Sequence, residues 1–241
     1  MWPFELTQKM TQLKELTEEI IVCRQCPRLV EWREEVARVK RKAYLDHGYW
    51  GKPVPGFGDP NAKVMVVGLA PGAHGSNRTG RQFTGDASGN FLFPALYRTR
   101  FASQADSLAR DDGLLLSEMW ITASGRCAPP KNKPTALELN TCQPFLEREI
   151  EIIHPKVFVA LGRIAFDRIL RIYNLRKKDY VFGHGALQKL PPDLLNTDSP
   201  NTDHWLLSSY HPSRQNTQTG RLTVEMFDAI WQKARQLIRE D

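Results

Sequence analysis

The chain has 241 residues, with 33 Lys and Arg against 27 Asp and Glu and a formal net charge of +6. A hydrophobic content of 41% and a charged content of 25% exclude a mostly disordered chain, and the length suffices to bury a core without disulfides or metal. The longest apolar runs, such as residues 64–70, fall far short of the ~20 residues of a membrane span.

Residues 4–22 read as an amphipathic helix, because Leu6, Met10, Leu13, Leu16 and Ile20 recur at steps of three and four. The pattern breaks at Cys23-Arg-Gln-Cys26-Pro27. Residues 29–44 read as a second, densely charged helix with a solvated face, and 47–60 as turn chemistry rich in Gly and Pro. The run 63–68 is a short apolar segment bounded by turn signals, the pattern of a buried parallel strand. A Gly-rich loop over 69–89 leads into a helix from near Ser88 or Asn90 to Thr99. Residues 119–122 form a second strand, and 124–135 a loop holding Cys127 and three prolines. A helix over 137–153 contains Cys142; a third strand covers 156–162, and a helix follows to Tyr173. Residues 177–203 read as a polar surface insertion, 205–209 as a fourth strand and 223–240 as a closing helix. No signal peptide is legible at the N-terminus, so the expected compartment is the cytoplasm.

Strands alternating with helices predict an α/β fold, with an open, mainly parallel sheet covered on both faces. No repeat or composition break divides the chain, so one domain over 1–241 is expected. Ligands of such sheets sit beyond the carboxyl ends of the strands. Here those ends carry 68–89, 123–135, 162–163 and 210–223, the segments rich in Gly, Asn, His and Asp.

The four cysteines form two pairs, Cys23 with Cys26 and Cys127 with Cys142. In the cytoplasm cysteines are more often ligands or reactive thiols than disulfides. The first CxxC follows a helix, unlike a redox motif in a βαβ unit. Four unrelated buried thiols are the ordinary alternative; as ligands, four thiolates suit structural zinc or an iron–sulfur cluster, and the wide spacing of the second pair favours a 4Fe-4S cluster over paired zinc knuckles. The loop from Gly68 to Asn90 lacks the GxxxxGK[ST] and GxGxxG spacings of nucleotide sites. Within it Arg78 and Arg81 are candidates for phosphate contacts, and Asp86 lies just before a helix, where a structural cap is its ordinary role. His211 directly follows the fourth strand, held by Pro212 beside Ser213, Arg214 and Asn216.

Taken together, GLAPGAHGSNRTGRQFTGDASGN, GRCAPPKNKPT and HPSRQNTQTGRLT, with the four spaced cysteines, resemble the type-5 uracil-DNA glycosylases, iron–sulfur members of the uracil-DNA glycosylase superfamily. The resemblance runs from Cys23 to about Thr223 and leaves out the lysine-rich second helix and the 177–203 insertion. It implies a three-layer α/β/α sandwich around a four-stranded, mainly parallel sheet. It implies a 4Fe-4S cluster on Cys23, Cys26, Cys127 and Cys142, and hydrolytic removal of uracil and other deaminated bases such as hypoxanthine from damaged DNA, single- or double-stranded. A monomer without membrane attachment is expected.

An enzyme of this kind flips the base from the duplex. The resemblance places Phe83 against the flipped base, with Asn132 at its edge and Ala70 and Gly72 beside it. It assigns His211 as the donor that stabilises the departing base. Superfamily members carry an acid or amide in the segment where Leu69 and Ala70 stand here, so the water-activating group is expected to be Asp86, with Asn77 the runner-up. Some relatives place Asn after the second strand; Ala123 stands here, which implies a broader base range. Arg78, Arg81, Ser213, Arg214, Asn216 and Arg221 are the expected DNA contacts. Two other readings stay open: a non-catalytic, zinc-held nucleic-acid-binding module, and a nucleotide-binding enzyme using the Gly-rich loop.

Overall fold

The computed structural model describes residues 3–191 and 204–239. Helices α1 (Pro3–Val22) and α2 (Pro27–Val39) come first, followed by strands β1 (Phe57–Gly58) and β2 (Val64–Gly68). A single helical turn, α3 (Ser76–Thr79), lies within the Gly-rich loop and precedes α4 (Gly89–Arg98). Then come β3 (Met119–Ala123), α5 (Ala136–Ile153), β4 (Val157–Leu161) and α6 (Arg163–Ile172). The chain closes with β5 (Leu187–Leu190), β6 (His204–Ser209), α7 (Arg214–Gln218) and α8 (Val224–Leu237).

The sheet has the order β1-β3-β2-β4-β6-β5. The four central strands are the four expected ones, and all are parallel neighbours. Two antiparallel edge strands correct the expected count to six: β1 pairs with β3, and β5 with β6. Neither edge carries an apolar run, because an edge strand needs no buried face on both sides. The strand β5 also corrects the reading of 177–203 as an insertion only, since its first part completes the sheet; residues 192–203 lie outside the described residues.

Successive residues of a strand face opposite sides, and the core divides accordingly. Val64, Val66, Ile121, Val157, Val159 and Leu207 pack with α4 and α8. Met65, Val67, Phe158, Ala160 and Leu206 pack with α5 and α6, and Leu13 of α1 joins them. The layers are therefore α/β/α. The register aligns Gly68 with Ala123 and Leu161 with Ser209, so the carboxyl ends of the central strands form one rim. The second helix is shorter than expected: it stops at Val39, where Lys40 turns to φ 60°, and a separate 3-10 turn covers Lys42–Tyr44. That break swings Arg41 and Tyr44 to the cleft at the rim. Among the described residues no helix is long and apolar enough to cross a membrane.

Candidate active site

A cleft of about 680 Å³ opens over the strand rim, lined by the loop after β2, the start of α4, Asn132 and the segment 211–215. Gly68, Ala70, Gly72, Phe83, Asp86, Asn132, His211, Ser213 and Arg214 all border it. Four separate segments thus bring their polar and aromatic groups to one place.

Asp86 accepts a hydrogen bond from the Gly89 amide at 3.0 Å, so it does support the start of α4 as a cap would. Its other oxygen faces the loop that holds Gly72 and Gly75. A methyl group at Gly75 would collide with this carboxylate, so glycine is required for the loop to wrap it. Burial raises the Asp86 pKa above its ordinary value, against the opposing pull of the Gly89 and Ser88 amides and the Arg78 charge.

Phe83 is buried with φ 53°, a conformation costly for a bulky residue and characteristic of functional sites. This backbone turn sets its ring close under Gly68, where a Cβ would press on the ring at 2.7 Å. The ring lies 6.0 Å from that of His211, tilted by 33°. Asn132 also has a left-handed backbone, φ 55°, which asparagine tolerates. The His211 carbonyl accepts from the Ser213 amide at 2.8 Å and from Asn216 Nδ2 at 2.9 Å. Burial lowers the His211 pKa to about 4, so the imidazole is neutral near pH 7. Ser213 caps α7 by accepting from the Asn216 amide. Sequence reading missed that helix, although Ser before Arg-Gln-Asn is a capping signal.

Several expected contacts are redirected. Asn77 is fully buried, its Nδ2 donating to the Arg33 carbonyl at 3.2 Å, and it does not line the cleft. Asn77 therefore holds α2 to the loop rather than placing water. Arg78 is also buried: it donates to the carbonyls of His74 and Gly85 and stacks 4.2 Å from the Tyr44 ring centre. Arg81 is closed in by Asp112 at 2.7 Å and by Thr84 and Ser107, each at 2.9 Å. Neither guanidinium faces solvent, which corrects their reading as phosphate contacts. Asn216 likewise braces the loop through the His211 carbonyl. Arg214 and Arg221 are exposed, Arg221 resting 4.6 Å from the Tyr210 ring centre. Arg41, Tyr44, His74 and Gln215 line the cleft and were not singled out in sequence; Arg41 and Tyr44 lie in a charged segment that reads only as a solvated face.

The Arg81–Asp112 pair carries a pH prediction. Burial works to raise the Asp112 pKa, but Arg81 and the amides of Leu108, Leu114 and Ala109 overcome it and hold the pKa at about 2. A depressed carboxylate stabilises the fold above its unfolded pKa, and the contribution is lost as pH falls through the folded one. Acid titration of thermal stability is expected to show a loss between about pH 4 and pH 2 that Asp112→Asn removes.

A second cavity lies at the junction of α1, α2 and α5. Cys23, Cys26, Cys127 and Cys142 all line it, with Leu29, Val30, Leu139 and Phe145. Thr135 and Glu138 form a reciprocal capping box at the start of α5, and Arg28 grips Glu138 through two 2.7 Å hydrogen bonds, tying α2 to α5. Burial pushes the Cys127 thiol up to about 11 and the Cys142 thiol to about 12. The fully buried Arg33 donates to Cys127 Sγ at 2.9 Å, and the Arg126 amide to Cys142 Sγ at 3.3 Å. Among the described residues no three Cys, His, Asp or Glu side chains meet at a single-ion site.

The family model of the Uracil DNA glycosylase superfamily matches residues 55–235. The chain is 52% identical over 221 residues to the type-5 uracil-DNA glycosylase of Thermus thermophilus, covering 91% of this chain and 95% of that protein. It is 46% identical over 230 residues to the type-5 uracil-DNA glycosylase of Mycobacterium leprae, covering 93% and 95%. It is 43% identical over 220 residues to that of Pyrobaculum aerophilum, covering 91% of each chain.

Proposed function

The chain belongs to the uracil DNA glycosylase superfamily, and on that premise we propose that it excises uracil, and hypoxanthine with it, from DNA by hydrolysing the N-glycosidic bond and leaving an abasic site. The observation that carries the reading is the convergence of Phe83, Asp86, Asn132 and His211 on one cleft from four separate segments.

The flipped base stacks on the Phe83 ring, and its edge meets the Asn132 amide, which offers both a donor and an acceptor. Ala70 and Gly72 leave room beside it. As the glycosidic bond breaks, negative charge grows on the base and positive charge on the sugar. Neutral His211 donates to the base carbonyl, a preorganised donor aimed at developing charge. Asp86, held by the α4 amides, orients the attacking water, and its carboxylate offsets the charge of the sugar. Arg214, Arg221 and Ser213 meet the phosphate backbone.

The cysteine cavity supports a 4Fe-4S cluster on Cys23, Cys26, Cys127 and Cys142. The donor set is all sulfur, the walls are apolar, and the buried guanidinium of Arg33 supplies a counter-charge to thiolates. Four thiolates would also satisfy zinc; the spacing of Cys127 and Cys142, too wide for a zinc knuckle, favours the cluster. The cluster would tie the start of α2 to the loop after β3 and to α5.

Release of free base from labelled DNA tests the activity. Uracil is expected from single- and double-stranded DNA, and hypoxanthine more slowly; no uracil release by iron-loaded protein would refute the reading. For the cluster, the pure protein is expected to be brown, with about four irons per chain and broad absorbance near ~400 nm. Cys142→Ser is expected to bleach that absorbance. A colourless, zinc-loaded and inactive protein would favour a nucleic-acid-binding module instead.

A further inference from the structure

We infer that His74 is a neutral hydrogen-bond donor to a backbone phosphate of the bound nucleic acid, held for that role by Tyr49 and assisted by Arg41. The inference rests on the reading of the cleft as a DNA glycosylase site. His74 lines the cleft together with Arg41 and Asp86. Its Nδ1 lies 2.9 Å from the Tyr49 hydroxyl, with the two rings edge to face at 84°.

The phenol O–H is the more acidic hydrogen of the pair, so Tyr49 donates and Nδ1 accepts. His74 then carries its own hydrogen on Nε2. Among the described residues no protein group pairs with Nε2, and it is not a buried orphan. The free donor is therefore exposed along the cleft.

The charge around it selects the ligand. Arg41 is exposed beside His74, and buried Arg78 stands behind it, donating to the His74 carbonyl. A donor flanked by two guanidiniums is complementary to an anion. The loop that carries His74 also wraps the Asp86 carboxylate, so an anion there belongs to the backbone of the strand that carries the damaged base rather than to the base itself. A phosphodiester next to the flipped nucleotide meets these conditions. Tyr49, whose hydroxyl pairs with His74 Nδ1, is a positioning residue.

The test uses iron-loaded protein and a duplex bearing a 2′-fluoro-deoxyuridine, which resists hydrolysis. His74→Ala is expected to weaken binding about 10-fold and to raise KM with kcat little changed. A neutral donor displaces no counterion, so the slope of log Kd against log salt should stay that of the wild type. Arg41→Ala should weaken binding and reduce that slope by about one. Tyr49→Phe should show a smaller loss that vanishes in the His74→Ala background, and it keeps the proposal testable if His74→Ala fails to fold. Binding by His74→Ala within about twofold of wild type, with normal uracil release, overturns the phosphate contact alone. Failure of the wild type to release uracil overturns the glycosylase reading and this contact with it.

Discussion

Replacing Asp86 with asparagine is expected to lower the single-turnover rate of uracil excision by about 10²- to 10⁴-fold, the range carried by a positioned general base or its equivalent. The substitution keeps the shape of the side chain and an oxygen that accepts from the Gly89 amide, so melting temperature should change little. What is lost is the negative charge that the proposed mechanism sets beside the sugar. Only the ionised carboxyl offers that charge, and burial raises its pKa above the ordinary value. Wild-type excision should therefore fall on the acid side with a midpoint above 3.8, and the variant should lack that dependence. His211, held neutral above about pH 4 by burial, would not add a second charge change across the same range. A variant rate within a few-fold of wild type would remove Asp86 from the chemistry and leave it as a helix cap.

The second large effect is on stability. Arg126 and Glu149 are each about 1% exposed and pair at 2.6 Å. Thr122 donates to the same Glu149 oxygen at 2.6 Å, and the Gly56 amide to the other at 3.2 Å. The pair thereby joins β3, α5 and the segment that enters β1. Removing one partner of a buried ion pair leaves an uncompensated charge and costs about 3–5 kcal/mol. Glu149→Ala is expected to lose that much in urea unfolding. Arg126 precedes Cys127, and its amide donates to Cys142 Sγ, so the same variant should also hold the proposed cluster less firmly, read as faster bleaching in air. By contrast, the exposed Arg38–Glu35 pair is worth at most about 1 kcal/mol. An unfolding midpoint for Glu149→Ala like that of Arg38→Ala would show that the buried network contributes no more than a surface pair.

The two effects locate different functions on either side of the strand rim. The cleft needs precise placement of Asp86, which depends on the glycines that wrap it. The cysteine cavity and the Arg126–Glu149 network set how firmly the loop after β3, which carries Asn132 into the cleft, is held.

The sequence by itself determined the centre of the fold and the chemical identity of the cleft. Four short apolar runs between turn signals have only one economical arrangement, a buried parallel sheet, because strands covered on both faces must be apolar throughout. The polar segments after those runs then fall at one rim; the roles of Phe83, Asp86, Asn132 and His211 within them came from the resemblance to the type-5 glycosylases, not from the pattern. The pairing of the cysteines was legible for the same local reason, as spacing. Tertiary structure alone decided the edge strands, whose partners are supplied by backbone pairing and leave little mark on side-chain pattern. It also decided which cations are free. An arginine has the same appearance in sequence whether it meets water or a buried carboxylate; Arg81 finds Asp112 31 residues away, and Arg78 finds carbonyls within its own loop. The break after Val39 had the opposite effect, swinging Arg41 and Tyr44 to the cleft. Direction and partner of a long polar side chain are set by contacts distant in the chain, and these no local pattern records.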